Sequence, residues 1–361
     1  MTLTAPTPKR HRVQPYRTVW RLHRRAVLLV VLALVALLAI GAASHYAWIH
    51  AFAGAGGQTN RLTSIANLVN ILVREGSLLL PVLLGMLLGA GLISRARDTG
   101  RHVLAFTQDS TRWQWYLAHL LVVHVPVALA AAVYAPLVQR FDSPTPMPWQ
   151  GRFGLEHFLS TPLIAALSML AALQVGALIA LLLRSPLAAM PVTLVVLLAA
   201  GSFITLQLRP HYATPEATIM TVEEGVRSGS YGSALYVTNE VRAPWILERV
   251  HVTADGRPID HTGEHCPWPN RPWVYPEMQP GDTQEIFDAR ADEIERQQEQ
   301  QFEEDNVVVA QCLRDRGAVH FEERFHPDSR FWRFQATEAA LLLLITGLVL
   351  AAARWRIGRI D

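Results

Sequence analysis

The segment LSTPLIAALSMLAALQVGALIALLL, residues 159–183, contains no charged residue over 25 positions. A helix needs about 20 consecutive apolar residues to cross the hydrocarbon core of a bilayer, because each residue adds about 1.5 Å of rise. An uncharged run of this length therefore predicts a membrane-spanning helix.

Five other segments share this length and apolar character, and with the first they predict six spans. In chain order the six segments are residues 26–43, 77–94, 116–138, 159–183, 187–206 and 336–353. The chain is 51% hydrophobic and 17% charged, which is more apolar than an ordinary soluble domain. Six buried helices of a soluble protein would need far more polar chain to cover them, so we predict a mainly α membrane protein.

Basic residues are distributed unevenly between the flanks of these spans. The N-terminal tail, the loop after the second span, the turn at Arg184 and the C-terminus together hold 15 arginines and lysines, against 4 in the opposite short loops. Because positively charged flanks stay in the cytoplasm, both termini are predicted to be cytoplasmic and the region between spans five and six extracytoplasmic. The predicted organisation is a basic tail and interfacial helix at 1–25, spans one to five at 26–208 with a cytoplasmic loop at 95–114, an extracytoplasmic domain at 209–335, and a sixth span with a short tail at 336–361.

Two short segments beside the spans are predicted to lie along the membrane. Residues 13–25 alternate arginines with aromatic and apolar residues, as an interfacial helix does. Residues 62–73 are apolar but too short to span, which predicts a surface or re-entrant helix.

The predicted extracytoplasmic region differs in composition, with 13 arginines and 23 acidic residues and hence a net charge of about −10. Residues 246–259, ILERVHVTADGRPI, predict a hairpin around an Asp-Gly turn, and residues 234–241 a further strand. Residues 282–316 predict one long helix, with a break at Asp305-Asn306 as the alternative. Residues 318–335 predict a strand that leads into the last span, so the region is expected to form a small α+β domain.

The two cysteines of the chain, Cys266 and Cys312, both lie in this region. An even number of cysteines outside the cytoplasm predicts a disulfide between them. The alternative is a metal site with His261, His265 and Cys266 as ligands, for which no fourth ligand is evident. The segment CPWPNRPWVYP, residues 266–276, is either an ordered loop packed on its own domain or a ligand-stacking patch.

Few polar side chains interrupt the predicted spans, and such groups usually have a partner or a function. They include His119 and His124 on the third span, Gln174 on the fourth and Glu338 near the start of the sixth. A hydrogen bond within the bundle is the simpler interpretation of each histidine, and a proton relay or substrate contact is the alternative. Glu338 is close enough to the interface to reach water or a neighbouring helix start.

Small residues on the second span have a different use. Gly85, Gly89 and Gly91 would let another helix approach closely, either within the chain or between subunits.

Several classes of enzyme are excluded by composition and motif. The only lysine, Lys9, follows a proline in the N-terminal tail, so the chain has no G-x-x-x-x-G-K-[ST] phosphate-binding loop. The H-E-x-x-H and G-x-S-x-G motifs and paired intramembrane aspartates are also missing. We predict no catalytic site, no metal, no cofactor and no nucleic-acid partner for this chain.

The loop between spans two and three is longer than a tight turn. Residues 97–106 can form a helix with Leu104 and Phe106 available for docking, and Ser110 or Thr111 can cap the third span. A helix that binds lipid headgroups through its positive charge is the alternative.

Two local motifs resemble type-2 ABC transporter permeases, especially an actinobacterial group. GAGLISRARDTGRHVLAFTQDSTRWQW, residues 89–115, resembles the loop after the second span, and FHPDSRFWRFQATEA, residues 325–339, the strand into the last span. Ala96 and Arg101 depart from the family, which often has Glu and Thr there. The matching positions are Arg95, Asp98, Gly100, Leu104, Ala105, Thr107, Gln108, Arg112 and Trp115, and then Pro327, Ser329, Arg330, Phe331, Trp332, Phe334, Gln335 and Glu338.

The resemblance implies the permease subunit of an ABC exporter in a bacterial cell membrane. The loop would be a coupling helix that docks on a separate ABC-type ATPase subunit, which would bind ATP and Mg. A second permease copy, identical or related, and membrane lipids would be the other partners. The expected docking residues are Arg97, Asp98, Gly100, His102, Leu104, Phe106, Thr107, Gln108 and Arg112. The competing prediction is a membrane-anchored receptor or signalling protein without transport.

Overall fold

The fold is mainly helical and includes six helices that are long and apolar enough to cross a membrane, which confirms the predicted fold class. In chain order these helices, span 1 to span 6, are Tyr16–Ala51, Arg61–Asp98, Arg112–Phe141, Pro162–Leu182, Pro186–His211 and Asp328–Ile357. The computed structural model describes residues 15–54, 61–99, 111–141, 151–183, 185–229, 244–259, 266–269, 271, 274, 276, 279 and 281–359.

The chain divides into two compact units. The first, here called the membrane domain, comprises residues 1–146, 154–212 and 331–361, and the second, the sheet domain, comprises residues 147–153 and 213–330. The α-helices of the membrane domain are Pro15–Gly54, Arg61–Leu84, Gly91–Asp98, Arg112–His119, Val125–Val138, Leu155–Leu159, Pro162–Leu182, Pro186–Phe203 and Phe331–Ile357.

Spans 1 and 2 are longer than the apolar runs that predict them. Pro15–Gly54 is one unbroken helix, so the interfacial segment predicted at 13–25 continues directly into span 1. Arg61–Leu84 is likewise one helix, and the separate helix predicted at residues 62–73 is wrong. The helix continues through Arg74, whose Nε atom pairs with the Glu156 carboxylate at 2.8 Å, so that its positive charge is compensated.

Span 4 forms the centre of the membrane domain. In its most apolar window 61% of the residues are buried, compared with 11% for span 5. Span 2 widens into a π-helical turn at Gly85–Ala90 where it crosses span 4. A Cβ atom added to Gly176 would lie 2.2 Å from the carbonyl oxygen of Gly85, and one added to Gly89 would lie 2.5 Å from that of Leu173. The predicted glycine contact therefore exists within the chain, but Gly91 is not part of it, since its nearest contact would be 3.6 Å away.

Among the described residues, the sheet domain contains the antiparallel strands Glu216–Met220 (β1), Trp245–Thr253 (β2), Pro258–Ile259 (β3) and Ala318–His326 (β4), in the order β1-β4-β2-β3. β2 and β3 form the predicted hairpin, and Gly256 in its turn has a left-handed φ of 79°. β4 leads into span 6, as predicted. The described helices of this domain include Val222–Gly229 and Gln284–Asp315. The strand predicted at 234–241 lies outside the described residues.

The helix Gln284–Asp315 is continuous, which confirms the predicted long helix without the alternative break at Asp305-Asn306. Both side chains are buried, 3% and 5% exposed. The guanidinium of Arg271 lies 3.0 Å from the Asp305 carboxylate and compensates its charge. Tertiary contacts therefore override the weak helix propensity of Asp and Asn at this point.

A disulfide joins Cys266 to Cys312, as predicted, with 5.8 Å between the Cα atoms. The described residues after Cys266 also pack on the long helix: the Trp268 ring lies 5.6 Å from that of Phe302, and Gln298 donates to the carbonyl oxygen of Val274 at 2.5 Å. These contacts favour the packed-loop interpretation. The thiolate that a metal site at Cys266 would need is absent, while the candidate ligands His261 and His265 lie outside the described residues.

Replacing both cysteines by serine is expected to destabilise the sheet domain by about 2–4 kcal/mol, because the bridge closes a 46-residue separation. The melting temperature of the purified protein without reductant would measure this loss, and dithiothreitol should lower the parent toward the variant. Equal melting of parent and variant without reductant would contradict the disulfide.

Candidate functional site

The predicted docking loop is described at its two ends. Arg97, Asp98 and Arg112 belong to those ends, and the docking residues between them lie outside the described residues. These undescribed docking residues are Gly100, His102, Leu104, Phe106, Thr107 and Gln108. The geometry of the site is therefore that of the loop's attachment to the membrane domain.

At the first end, Arg97 ties span 2 to span 4. Its Nη1 atom donates to the carbonyl oxygens of Ala180 at 2.9 Å and Leu181 at 2.8 Å. These carbonyls belong to the last turn of span 4, where backbone acceptors lack partners within the helix and a cation is favoured. Asp98, the last residue of its helix, is exposed.

At the second end, a capping box fixes the start of span 3. The amide of Gln114 donates to Thr111 Oγ1 at 3.2 Å, and the amide of Thr111 donates to Gln114 Oε1 at 3.1 Å. Arg112 lies 3.5 Å from the carbonyl oxygen of Gly358 near the end of span 6. The Arg354 guanidinium lies 5.7 Å from the centre of the Trp113 ring, a second contact between spans 3 and 6.

An apolar cluster joins both ends of the loop to the spans around them. We call it the loop base, and it includes the buried residues Ala96, Trp115, Tyr116, Leu181, Ala189 and Ile357. These come from spans 2 to 6, one or two from each. Close-packed interiors transmit displacement, so a movement of the loop ends would reach several spans at once.

A chain of hydrogen bonds lies beside the loop base. The Tyr116 hydroxyl donates to Gln174 Oε1 at 2.5 Å, and Gln174 Nε2 lies 3.0 Å from His124 Nδ1. The amide nitrogen can only donate, so His124 Nδ1 is the acceptor. The three side chains, here called the Gln174 triad, are each at most 2% exposed.

His119 faces a different neighbour from His124. Its Nδ1 atom lies 3.0 Å from the carbonyl oxygen of Trp115, and its ring lies 5.1 Å from that of His23 in span 1. A π-helical turn at Leu120–His124 separates the two histidines and is the local irregularity of span 3.

Glu338 forms a buried ion pair with Arg209 at the end of span 5, rather than reaching water or a neighbouring helix start. Glu338 and Arg209 are 3% and 2% exposed, and Arg209 Nη2 lies 3.1 Å from Glu338 Oε1. The Tyr212 hydroxyl donates to Glu338 Oε2 at 2.7 Å. Arg209 also lies over the Phe158 ring, 4.2 Å from its centre.

Sequence reasoning missed Arg209, Tyr212 and Tyr116 as partners. Arg209 follows the fifth apolar run directly and was assigned to the outer domain. The signal was Glu338 itself, because a carboxylate within an apolar run requires a cation nearby. Nothing in the sequence identifies Tyr116 as the partner of Gln174.

Several buried polar side chains of the membrane domain, including Gln174, His124, Arg209 and Glu338, bond to one another. Within the described residues, no group of three His, Cys, Asp or Glu side chains is placed to hold a metal ion. These contacts join several helices at defined points, and they would break if the helices were displaced.

A comparison with protein families supports a transport role. The family model described as "ABC-2 membrane transporter related" matches residues 25–209, just over half of the chain. The matched region runs from span 1 through span 5, and therefore contains the docking loop and the Gln174 triad. No curated protein and no solved structure matches the chain.

Proposed function

Because the chain belongs to the ABC-2 membrane transporter related family, we propose that it is the permease subunit of an ABC exporter whose loop between spans 2 and 3 docks on a separate ATPase. Membership itself indicates a multi-pass, non-catalytic membrane subunit with an ABC-type ATPase partner. Docking of the ATPase on this loop and the outward direction of transport go beyond family membership and are our proposal.

The attachment of the loop is the observation that carries the proposal. Arg97 donates hydrogen bonds to the end of span 4, and Thr111 caps span 3. The loop base packs the two ends of the loop against spans 5 and 6. A partner that displaced the loop would act on five spans through these contacts. ATP and Mg would be bound by the partner, since the single lysine of this chain lies in no phosphate-binding loop.

We further propose that both termini and the loop are cytoplasmic, with the sheet domain outside. Two independent features support this orientation: the bias of 15 arginines and lysines against 4, and a disulfide, which persists in oxidising compartments. A second permease copy and lipids would cover the apolar surfaces that a single chain leaves exposed on spans 1 and 5.

In this proposal the transport cycle is a two-state change. ATP binding would draw the ATPase subunits together and shift the loop, and the spans would move between inward-open and outward-open arrangements. The sheet domain would cover the exit or select the cargo.

The test is purification of the tagged protein in mild detergent, with co-purifying chains identified by mass spectrometry. We expect a stoichiometric P-loop ATPase with the parent and at least about tenfold less with Asp98→Arg, Phe106→Asp, because the loss of interface anchors costs roughly 2 kcal/mol or more. The matched control is Asp292→Arg, Ile219→Asp, which makes the same changes at exposed positions of the sheet domain.

Two outcomes would overturn the proposal in different ways. If the parent brings down no ATPase under conditions that preserve a known ABC complex, the chain is not an ABC permease in function, and the sheet domain should be screened as a receptor. If the loop variant keeps its ATPase as the control does, docking occurs elsewhere.

A further inference from the structure

Gln174 is a buried polar side chain of the membrane domain that makes two hydrogen bonds between helices. It is 0% exposed and lies on span 4, the most buried span. Both ends of its side-chain amide are hydrogen-bonded to span 3. The oxygen accepts from the Tyr116 hydroxyl at 2.5 Å, and the nitrogen donates to His124 Nδ1 at 3.0 Å. A buried amide without partners is costly, so these bonds strongly favour one relative position of the two helices.

The same stretch of span 4 holds two further ties. Gly176 meets the backbone of span 2 so closely that its Cβ would lie 2.2 Å from the Gly85 oxygen. Ala180 and Leu181 accept the hydrogen bonds from Arg97. Residues 174–181 therefore connect span 4 to span 3, to span 2 and to the beginning of the docking loop.

Two other buried polar side chains in the spans, Thr193 and Thr346, do not make such ties. Thr193 donates to Ala189 in its own helix at 2.7 Å, and Thr346 donates to Leu342 at 2.8 Å. Each is an ordinary hydrogen bond back to the preceding turn. The difference lies in the connection between helices, which Gln174 makes twice.

We propose that Gln174 is a positioning residue that locks span 3 to span 4, so that spans 2, 3 and 4 move as one block when the ATPase displaces the loop. This inference rests on the proposed function and names the part of the membrane domain that carries the displacement. Span 2 is held to the block by the glycine contact, and span 3 by the Gln174 triad. Without the triad, the loop would push on span 2 and span 3 separately.

The test measures distances between spin labels in the complex with its ATPase. Both native cysteines are in the disulfide, so introduced cysteines can be labelled selectively. Leu121→Cys with Leu182→Cys reports on spans 3 and 4, and Leu121→Cys with Leu187→Cys on spans 3 and 5; all three leucines are exposed. Each pair is measured with and without Mg²⁺ and a non-hydrolysable ATP analogue.

In the parent, we expect nucleotide to shift the distance between spans 3 and 5 and to leave that between spans 3 and 4 unchanged. In Gln174→Leu, the distribution between spans 3 and 4 should broaden and shift with nucleotide by about 2 Å, the scale of helix shifts in switching proteins. Tyr116→Phe, which removes one hydroxyl, should do the same to a smaller extent. Thr193→Val, the matched control, should behave as the parent.

Failure of this inference is distinguishable from failure of the proposed function. If no ATPase co-purifies with the parent, the proposed function fails and the inference with it. If the ATPase is present and nucleotide moves span 3 relative to span 4 in the parent, or moves neither pair, the spans do not carry the displacement as one block. If Gln174→Leu and Tyr116→Phe fold and match the parent, the triad does not lock the spans, and should Gln174→Leu fail to fold, Tyr116→Phe alone decides.

Discussion

Replacing Gly176 by alanine is expected to lower the stability of the membrane domain by about 3 kcal/mol, although the change adds a single methyl group. The new Cβ would lie 2.2 Å from the Gly85 oxygen and 2.9 Å from the Ala90 nitrogen. Both are backbone atoms, so no side chain can rotate away, and span 2 and span 4 must separate. Separation would also weaken the contacts made by Gly89 and Arg97. The midpoint of thermal unfolding in detergent, followed by size-exclusion fluorescence, measures the effect.

The chain offers matched controls for this substitution. Gly201 and Gly347 are also glycines within spans, and an added Cβ meets nothing within 4 Å at either position. Alanine is favoured over glycine in a helix by about 1 kcal/mol, so Gly201→Ala and Gly347→Ala should melt at or above the parent temperature. If Gly176→Ala melts with these controls, spans 2 and 4 do not approach as closely as the structure places them.

The spans could be predicted because the bilayer requires long apolar runs, whatever their neighbours are. The contacts between the spans could not be predicted. A helix that is apolar on all sides, such as Pro162–Leu182, has no pattern that indicates which of its faces packs against which neighbour. The glycines of span 2 indicated a close contact, and only the structure identifies Gly176 as their partner. The same limit applies to the Gln174 triad, in which His124 and Tyr116 lie 50 and 58 residues before Gln174 in the chain.

The errors of prediction have physical causes as well. Asp305 and Asn306 have low helix propensity, which suggested a break as an alternative, but Arg271 and burial within the sheet domain stabilise the helix through them. For Glu338 the expected partners were water or a neighbouring helix start, because sequence position near a span end does not reveal a cation on another span. Such local rules fail where a contact between distant residues supplies what the local sequence lacks.

Glu338→Gln is expected to destabilise the membrane domain by about 3–5 kcal/mol, since it leaves the Arg209 guanidinium buried without its countercharge. Arg209→Met should cost a similar amount by leaving the carboxylate unpaired. Both charges are at most 3% exposed, so water cannot replace the missing partner. An exposed pair gives the matched control: Arg227 and Glu303 lie 2.9 Å apart and are 51% and 50% exposed, so Glu303→Gln should change stability by less than about 1 kcal/mol.

The decisive variant removes the whole cluster. In Arg209→Met, Glu338→Leu, Tyr212→Phe no buried charge or hydroxyl is left without a partner, and replacing a buried pair by apolar side chains is often neutral or stabilising. The triple variant should therefore melt well above either single variant. If it melts as low as they do, the loss comes from packing around Phe158, and the ion pair itself contributes little. If the single variants melt with the parent, Arg209 and Glu338 reach solvent in the folded protein, and the pair does not hold spans 5 and 6 together.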